Sequence, residues 1–160
     1  MSWELSPGAS LADLATIELR RITDVLQVDH ASLFLRDADD PEHARAVAET
    51  GLSAREALPG YCTLLTRAIR TARAAKVERF DDPGATCAAL AAPLVHDHRA
   101  LGALLVVTRR ANRRLGAIDV EVVQEATQTL LERFLAPADR GEPRFVSERE
   151  RAARSQRTRR

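Results

Sequence analysis

Apolar residues first fall into step at Leu11, and Leu14 with Ala15, Leu19, Ile22, and Val25 with Leu26 follow at three-to-four-residue spacing. That period is one face of a helix, set opposite Arg20, Arg21 and Asp24, and it predicts a helix through about residue 27. Ser10 with Asp13 is spaced like a capping box, because a serine oxygen accepts an orphan N–H while Asp13 favours the positive end of the helix dipole. At His30 the period changes. Ser32-Leu33-Phe34-Leu35 is apolar on both alternating sets, the pattern of a central strand covered on both faces. Asp37-Ala38-Asp39-Asp40-Pro41-Glu42 marks a turn, and Arg45 to Thr50 predicts a weaker strand with the small alternate residues of a sheet edge.

Between Gly51 and Gly84 the strand pattern lapses, apart from a short one at Lys76–Phe80. After the Leu58-Pro59-Gly60 break, Leu64 and Leu65, Ala68 and Ile69, and Ala72 have helical spacing, and Asp81-Asp82-Pro83-Gly84 is a turn. The segment is a crossover of loop, helix, short strand and loop. Ala88–Val95 and Ala100–Thr108 are apolar runs joined by His96-Asp97-His98-Arg99, which predicts an antiparallel hairpin. Pro93 has no N–H for the ladder, so part of its strand is expected at an edge or bulge. Ile118, Val122 and Val123, Ala126, Leu130 and Leu131, and Phe134 with Leu135 predict a long last helix ending before Pro137. Beyond it, Phe145 and Val146 are the sizeable apolar residues. The expected organisation is one domain over residues 1–136 and an Arg-rich tail over 137–160, disordered or helical against a partner.

Composition narrows the classes. The 160 residues can bury roughly two-thirds of their chain surface, so the domain needs no disulfide or metal staple. No apolar run approaches the ~20 residues of a membrane span, and Trp3-Glu4 is no signal segment. A soluble, cytoplasmic protein without a membrane role is expected. The net charge of +1 conceals an asymmetry: residues 1–136 carry 16 basic and 19 acidic side chains, whereas 137–160 carry 8 Arg and 4 acids. A slightly acidic domain lacks the cationic field that supplies nucleic-acid affinity, and the basic tail has no interleaved aromatics for base stacking. Nucleic acid is therefore not an expected partner.

One mismatch then organises the chain. The strands at Ser32–Leu35 and Leu101–Val107 are apolar on both faces, yet the first and last helices cover one side of a single sheet. The crossover must roof the other, and a roof of loop and one small helix leaves a concavity beneath it. This order of elements resembles the GAF family of small-molecule sensor domains. The likeness rests on Val28-Asp29-His30-Ala31-Ser32-Leu33-Phe34-Leu35, Gly51-Leu52, Ala91-Ala92-Pro93-Leu94-Val95, Leu101-Gly102-Ala103-Leu104-Leu105-Val106 and Asp119, and covers roughly residues 10–136. It implies an α+β, PAS-like fold: an antiparallel sheet of five or six strands, terminal helices on one face, and a ligand pocket beneath the crossover on the other. Family members often dimerise through those helices, and here Ile17 falls off the main stripe while Val123 and Leu130 widen the last one, which favours a homodimer.

The function expected from the resemblance is a non-catalytic sensor or regulatory module, binding a small molecule or a protein partner and signalling through its terminal helices. The pocket residues expected from their place beside the roof are Tyr61, Cys62, Leu65, Phe80, Cys87 and Leu90. No cofactor is identified. Attachment of a linear tetrapyrrole in the family uses a Cys followed by His, whereas Cys62 precedes Thr63 and Cys87 precedes Ala88. The alternative is an enzyme resembling the family's free methionine sulfoxide reductases, in which Cys62 and Cys87 serve as attacking and resolving thiols. The group's third cysteine and flanking motif are missing, and neither thiol has a basic sequence neighbour to lower its pKa. A third reading is a domain whose pocket its own side chains fill. His96-Asp97-His98 has the spacing of a chelate without further ligands in its loop, so no metal site is expected. Asp29-His30 is either a general-base pair or, as the position favours, a surface or capping histidine.

Overall fold

A computed structural model describes residues 11–37, 43–58, 60–79, 87–110 and 113–135. In chain order the elements are α1 (Leu11–Leu26), β1 (His30–Arg36), β2 (Ala44–Gly51), α2 (Ala54–Ala57), α3 (Tyr61–Thr71), β3 (Ala75–Arg79), β4 (Cys87–His96), β5 (Arg99–Thr108) and α4 (Ala117–Leu135). The five strands form one antiparallel sheet in the order β2-β1-β5-β4-β3. Phe80, the Asp81–Gly84 turn and everything from Pro137 onward, the Arg-rich tail included, lie outside the described residues.

The sheet is covered on both faces, as the alternation in β1 requires. Leu33 of β1, Ala88, Leu90, Ala92 and Leu94 of β4, and Leu104 and Val106 of β5 pack with α1 and α4. Phe34, Ala89, Ala91, Ala103, Leu105 and Val107 point the other way, into a second cluster with α2 and α3. Successive strand residues face opposite sides, so one apolar run serves both layers. α1 buries Leu14, Ala15, Leu19, Ile22 and Leu26, and α4 buries Val123, Ala126, Leu130, Leu131 and Phe134. Val123 and Leu130, which widened the last stripe in the sequence, are thus taken up by the domain's own core. Among the described residues, Ile17, Val25 and Ile118 are the large apolar helix residues left exposed.

Two positions need glycine. Gly51 ends β2 at φ +77°, and a Cβ there would stand 2.1 Å from the Asp29 carbonyl oxygen. Gly102 lies where β5 pairs with β1, opposite Leu35, and its Cβ would stand 2.1 Å from the Phe34 carbonyl oxygen. The β4–β5 turn places Asp97 at φ 50° and His98 at φ 64°, the left-handed pair that matches a two-residue hairpin to the strand twist. β3 pairs with β4 from Cys87 to Ala91 only, so Pro93 sits past its end, where a missing N–H costs no ladder bond. The short α2 was not anticipated. Its signal is Ser53-Ala54-Arg55-Glu56, a capping-box spacing in which the Ser53 hydroxyl accepts the Glu56 N–H at 3.2 Å.

Candidate functional site

α3 follows Gly60 and turns Leu64, Leu65 and Ala68 into the second apolar cluster. Its next stripe, at i, i+3, i+4, i+7 and i+8 from Cys62, holds Leu65, Thr66, Ile69 and Arg70. That stripe borders a cleft of about 700 Å³ between α3 and the outer edge of the sheet. Phe34 and Arg36 line it from the end of β1, and His43 and Ala44 from the start of β2. The Phe34 and Tyr61 rings meet with centroids 5.6 Å apart and planes tilted 36°. Burial raises the Tyr61 hydroxyl pKa above its ordinary value, and the neighbouring Cys62 thiol adds to this. The volume falls within the range of small-molecule sites.

Of the expected pocket residues, Tyr61, Cys62 and Leu65 line this cleft. Cys87 faces the same side of the sheet but is buried within the apolar cluster. Leu90 is placed differently from expectation: it is fully buried against the helix pair on the opposite face. The reason was available in the sequence, because strand positions 87 and 90, three apart, cannot share a face. Phe34, Arg36, His43, Ile69 and Arg70 were missed. Phe34 and Arg36 could have been found by extending the β1 alternation two and four residues past Ser32; His43 and Arg70 carry no such local signal. Among the described residues no group of three metal-ligating side chains occurs, and His96 and Asp97 pair with each other in their exposed turn at 3.3 Å.

His30 also departs from expectation. It is fully buried rather than a surface residue, since its ring finds partners on both sides: Leu52 O at Nδ1 and Ser32 Oγ at Nε2, 2.7 Å away. A carbonyl cannot donate, so Nδ1 carries the proton and neutral Nε2 accepts from the serine hydroxyl. Burial lowers the His30 pKa, against smaller raising effects of the Leu52 carbonyl and Glu49. Asp29 does not serve His30. Its Oδ2 accepts the Arg109 backbone N–H at 2.6 Å, and its carbonyl accepts the Leu52 N–H at 3.0 Å.

The segment after β5 grips both layers. Arg109 Nη1 donates to Glu56 O of α2 at 3.0 Å. Four residues on, Arg113 Nη2 donates to Leu26 O, the last carbonyl of α1, at 3.1 Å and to Asp119 Oδ1 at 2.9 Å. Asp119 Oδ2 in turn accepts the Gly116 N–H at 2.7 Å, so this carboxylate both caps the start of α4 and holds the arginine that satisfies the end of α1.

The GAF domain family model matches residues 10–133. The chain belongs to the GAF family. Solved GAF structures share its fold at low identity. The second GAF domain of DevS from Mycobacterium smegmatis is 20% identical, with a TM-score of 0.61 over 82% of this chain and 98% of that one. The GAF domain of an Acinetobacter phosphoenolpyruvate-protein phosphotransferase is 16% identical, with a TM-score of 0.62 over 82% and 86%. A GAF domain/HD domain protein from Geobacter sulfurreducens is 12% identical, with a TM-score of 0.58 over 76% and 89%. No curated protein matches the sequence at the significance required. GAF domains are regulatory sensor modules, and no helix among the described residues of this one is long and apolar enough to cross a membrane.

Proposed function

We propose that this GAF domain is a non-catalytic sensor that takes a small molecule into the cleft beneath α3 and reports it through α1 and α4, in the cytoplasm. The cleft of about 700 Å³ carries the reading. It sits on the face opposite the terminal helices, and Arg109 and Arg113 contact α2 and the end of α1 respectively, one in each layer. A ligand that shifts α3 moves α2, because the Tyr61 N–H donates to Leu58 O and the Leu58 N–H to Ala54 O. The Arg109 and Arg113 contacts then favour one packing of the helix pair over another. Ile17, Val25 and Ile118, exposed on those helices, support association of two copies there. Two free thiols accord with a reducing compartment.

The comparisons lend no support to the reductase alternative, and the thiols it pairs differ in access, Cys62 exposed and Cys87 buried. Native mass spectrometry of freshly purified protein tests the sensor reading. The expected result is a dimer carrying a small-molecule mass that is lost in Ile69→Trp, which fills the cleft. A parent with no retained mass, and no thermal shift against a panel of metabolites, overturns the small-molecule reading. A monomeric parent overturns the helix-pair association.

A further inference from the structure

We infer that the Arg-rich segment 151–160 of this chain docks back onto α4, in a groove that this helix forms with the open end of β4. The groove has a volume of about 490 Å³ and belongs to the helix-pair side of the sheet, apart from the cleft beneath α3. Gln124, Glu125 and Gln128 line it from α4, Pro93 and Val95 from β4, and Arg73 from the link between α3 and β3. β3 pairs with β4 no further than Ala91, so from Ala92 to His96 that edge of β4 has no neighbouring strand among the described residues. His96 and Arg99 close the two-residue turn as a pair. Their backbone groups face each other, so those of Val95, one residue earlier, point away from β5. An extended backbone laid in the groove meets the Val95 N–H and C=O, with the side-chain amides of Gln124 and Gln128 as further donors and acceptors.

Charge selects the occupant. α4 holds four acids and one Arg. Asp119 is taken by Arg113 and the Gly116 N–H, but Glu121, Glu125 and Glu132 are exposed. At about 100° per residue these three fall within about 40° of one another, one acidic rim beside Gln128. Among the described residues Glu121 and Glu132 have no ion-pair partner; Glu125 acts on Arg21, whose own pair is Glu18 at 2.6 Å. Segment 151–160 carries five Arg and no acid, the complement of that rim. Reach is not limiting. Residues 136–150 join α4 to Arg151 and span at most about 50 Å, whereas Gln124 lies about 17 Å back from Leu135 along the helix. The acidic stretches at 39–42 and 81–82 are further from the segment along the chain, and closeness on one chain raises the effective concentration at α4.

Paramagnetic relaxation in the full chain tests the contact, with a nitroxide on Ser155→Cys in a Cys62→Ser background that leaves only the buried Cys87. The label is expected to cut the Val95, Gln124 and Gln128 amide signals about twofold or more, and the Glu56 and Thr66 signals, in the layer across the sheet, clearly less. Salt at about 1 M, where the screening length is about 3 Å, is expected to restore all of them. Glu121→Gln/Glu125→Gln/Glu132→Gln is expected to abolish the loss, as is Arg151→Gln/Arg154→Gln/Arg157→Gln, which alters no described residue of the domain. Asp39→Asn/Asp40→Asn/Glu42→Gln is expected to leave it unchanged. No loss in the parent, equal loss in both layers, or a loss that survives either of the first two variants overturns the inference. So does a loss abolished by the third, which would seat the segment at the β1–β2 turn. Isotope-labelled chains mixed with unlabelled, nitroxide-bearing ones are expected to show no loss; a loss there assigns the groove to a second copy's segment and overturns docking within one chain. Circular dichroism checks the fold of the glutamate variant, and if that fold is altered the arginine variant decides alone.

Discussion

Gly102→Ala is the most direct test of the packing that shapes the cleft floor. The new methyl carbon would lie 2.1 Å from the Phe34 carbonyl oxygen and 3.0 Å from the Leu35 Cα. Ordinary contact begins at 3.4 Å, so β1 and β5 must part by about 1.3 Å at the Leu35–Gly102 pair. Both obstacles are backbone, and no rotamer change relieves them. Overpacking of this kind costs about 1 to 3 kcal/mol. Loss of one or two ladder bonds adds about 1 kcal/mol each, while the stiffer unfolded chain offsets about 0.4 to 1 kcal/mol. The expected net loss is about 3 kcal/mol, or roughly 6 to 12 °C in Tm for a domain of this length. Urea unfolding followed by circular dichroism, with calorimetry, measures both. Gly116→Ala is the control: its methyl would meet only Asp119 Oδ2 at 3.9 Å, and its expected cost, as a residue preceding a helix, stays below about 1 kcal/mol. If Gly102→Ala is no more destabilising than Gly116→Ala, the β1–β5 register and the placement of Phe34 are wrong.

The lowered His30 pKa makes stability pH-dependent with a definite sign. Below the ordinary imidazole value of about 6.5 the unfolded chain binds more protons than the folded one, so His30 contributes fully above that pH and its contribution erodes as pH falls toward the folded value. Urea unfolding between pH 5 and 8 should show a steeper loss on acidification in the parent than in His30→Gln; equal slopes would refute this. Asp119→Ala removes the cap on Gly116 and the partner of Arg113 together, and should cost about 1 to 2 kcal/mol with faster amide exchange in the first turn of α4, an exchange rate matching the parent counting against it. Cys62, exposed on α3, should react with a thiol reagent in the native protein, while Cys87, 6% exposed, should wait for unfolding; two equally fast thiols would contradict the burial.

Local pattern determined most of this architecture. The three-to-four spacing of Leu14, Leu19, Ile22 and Leu26 and of Val123, Ala126, Leu130 and Phe134 specifies the terminal helices, because each helix must turn one stripe inward. Double-sided apolarity at Leu33 and Phe34 demands two covering layers, and the chain has only the crossover to supply the second. Even the missed α2 was written locally, in Ser53 and Glu56, and the misplacement of Leu90 came from overlooking strand parity. The cleft is of another kind. Arg36 and His43 flank the one turn between β1 and β2, but Arg70 lies 34 positions from Arg36, and nothing in the period of β1 or α3 says that their ends converge. Likewise His30 is polar in a strand that its neighbours predict to be buried, and only the arrival of Leu52 O beside it makes that burial tolerable. Periodicity records which side of an element faces inward; where the open ends of three elements meet depends on sheet order and crossover path, and tertiary packing alone decides that.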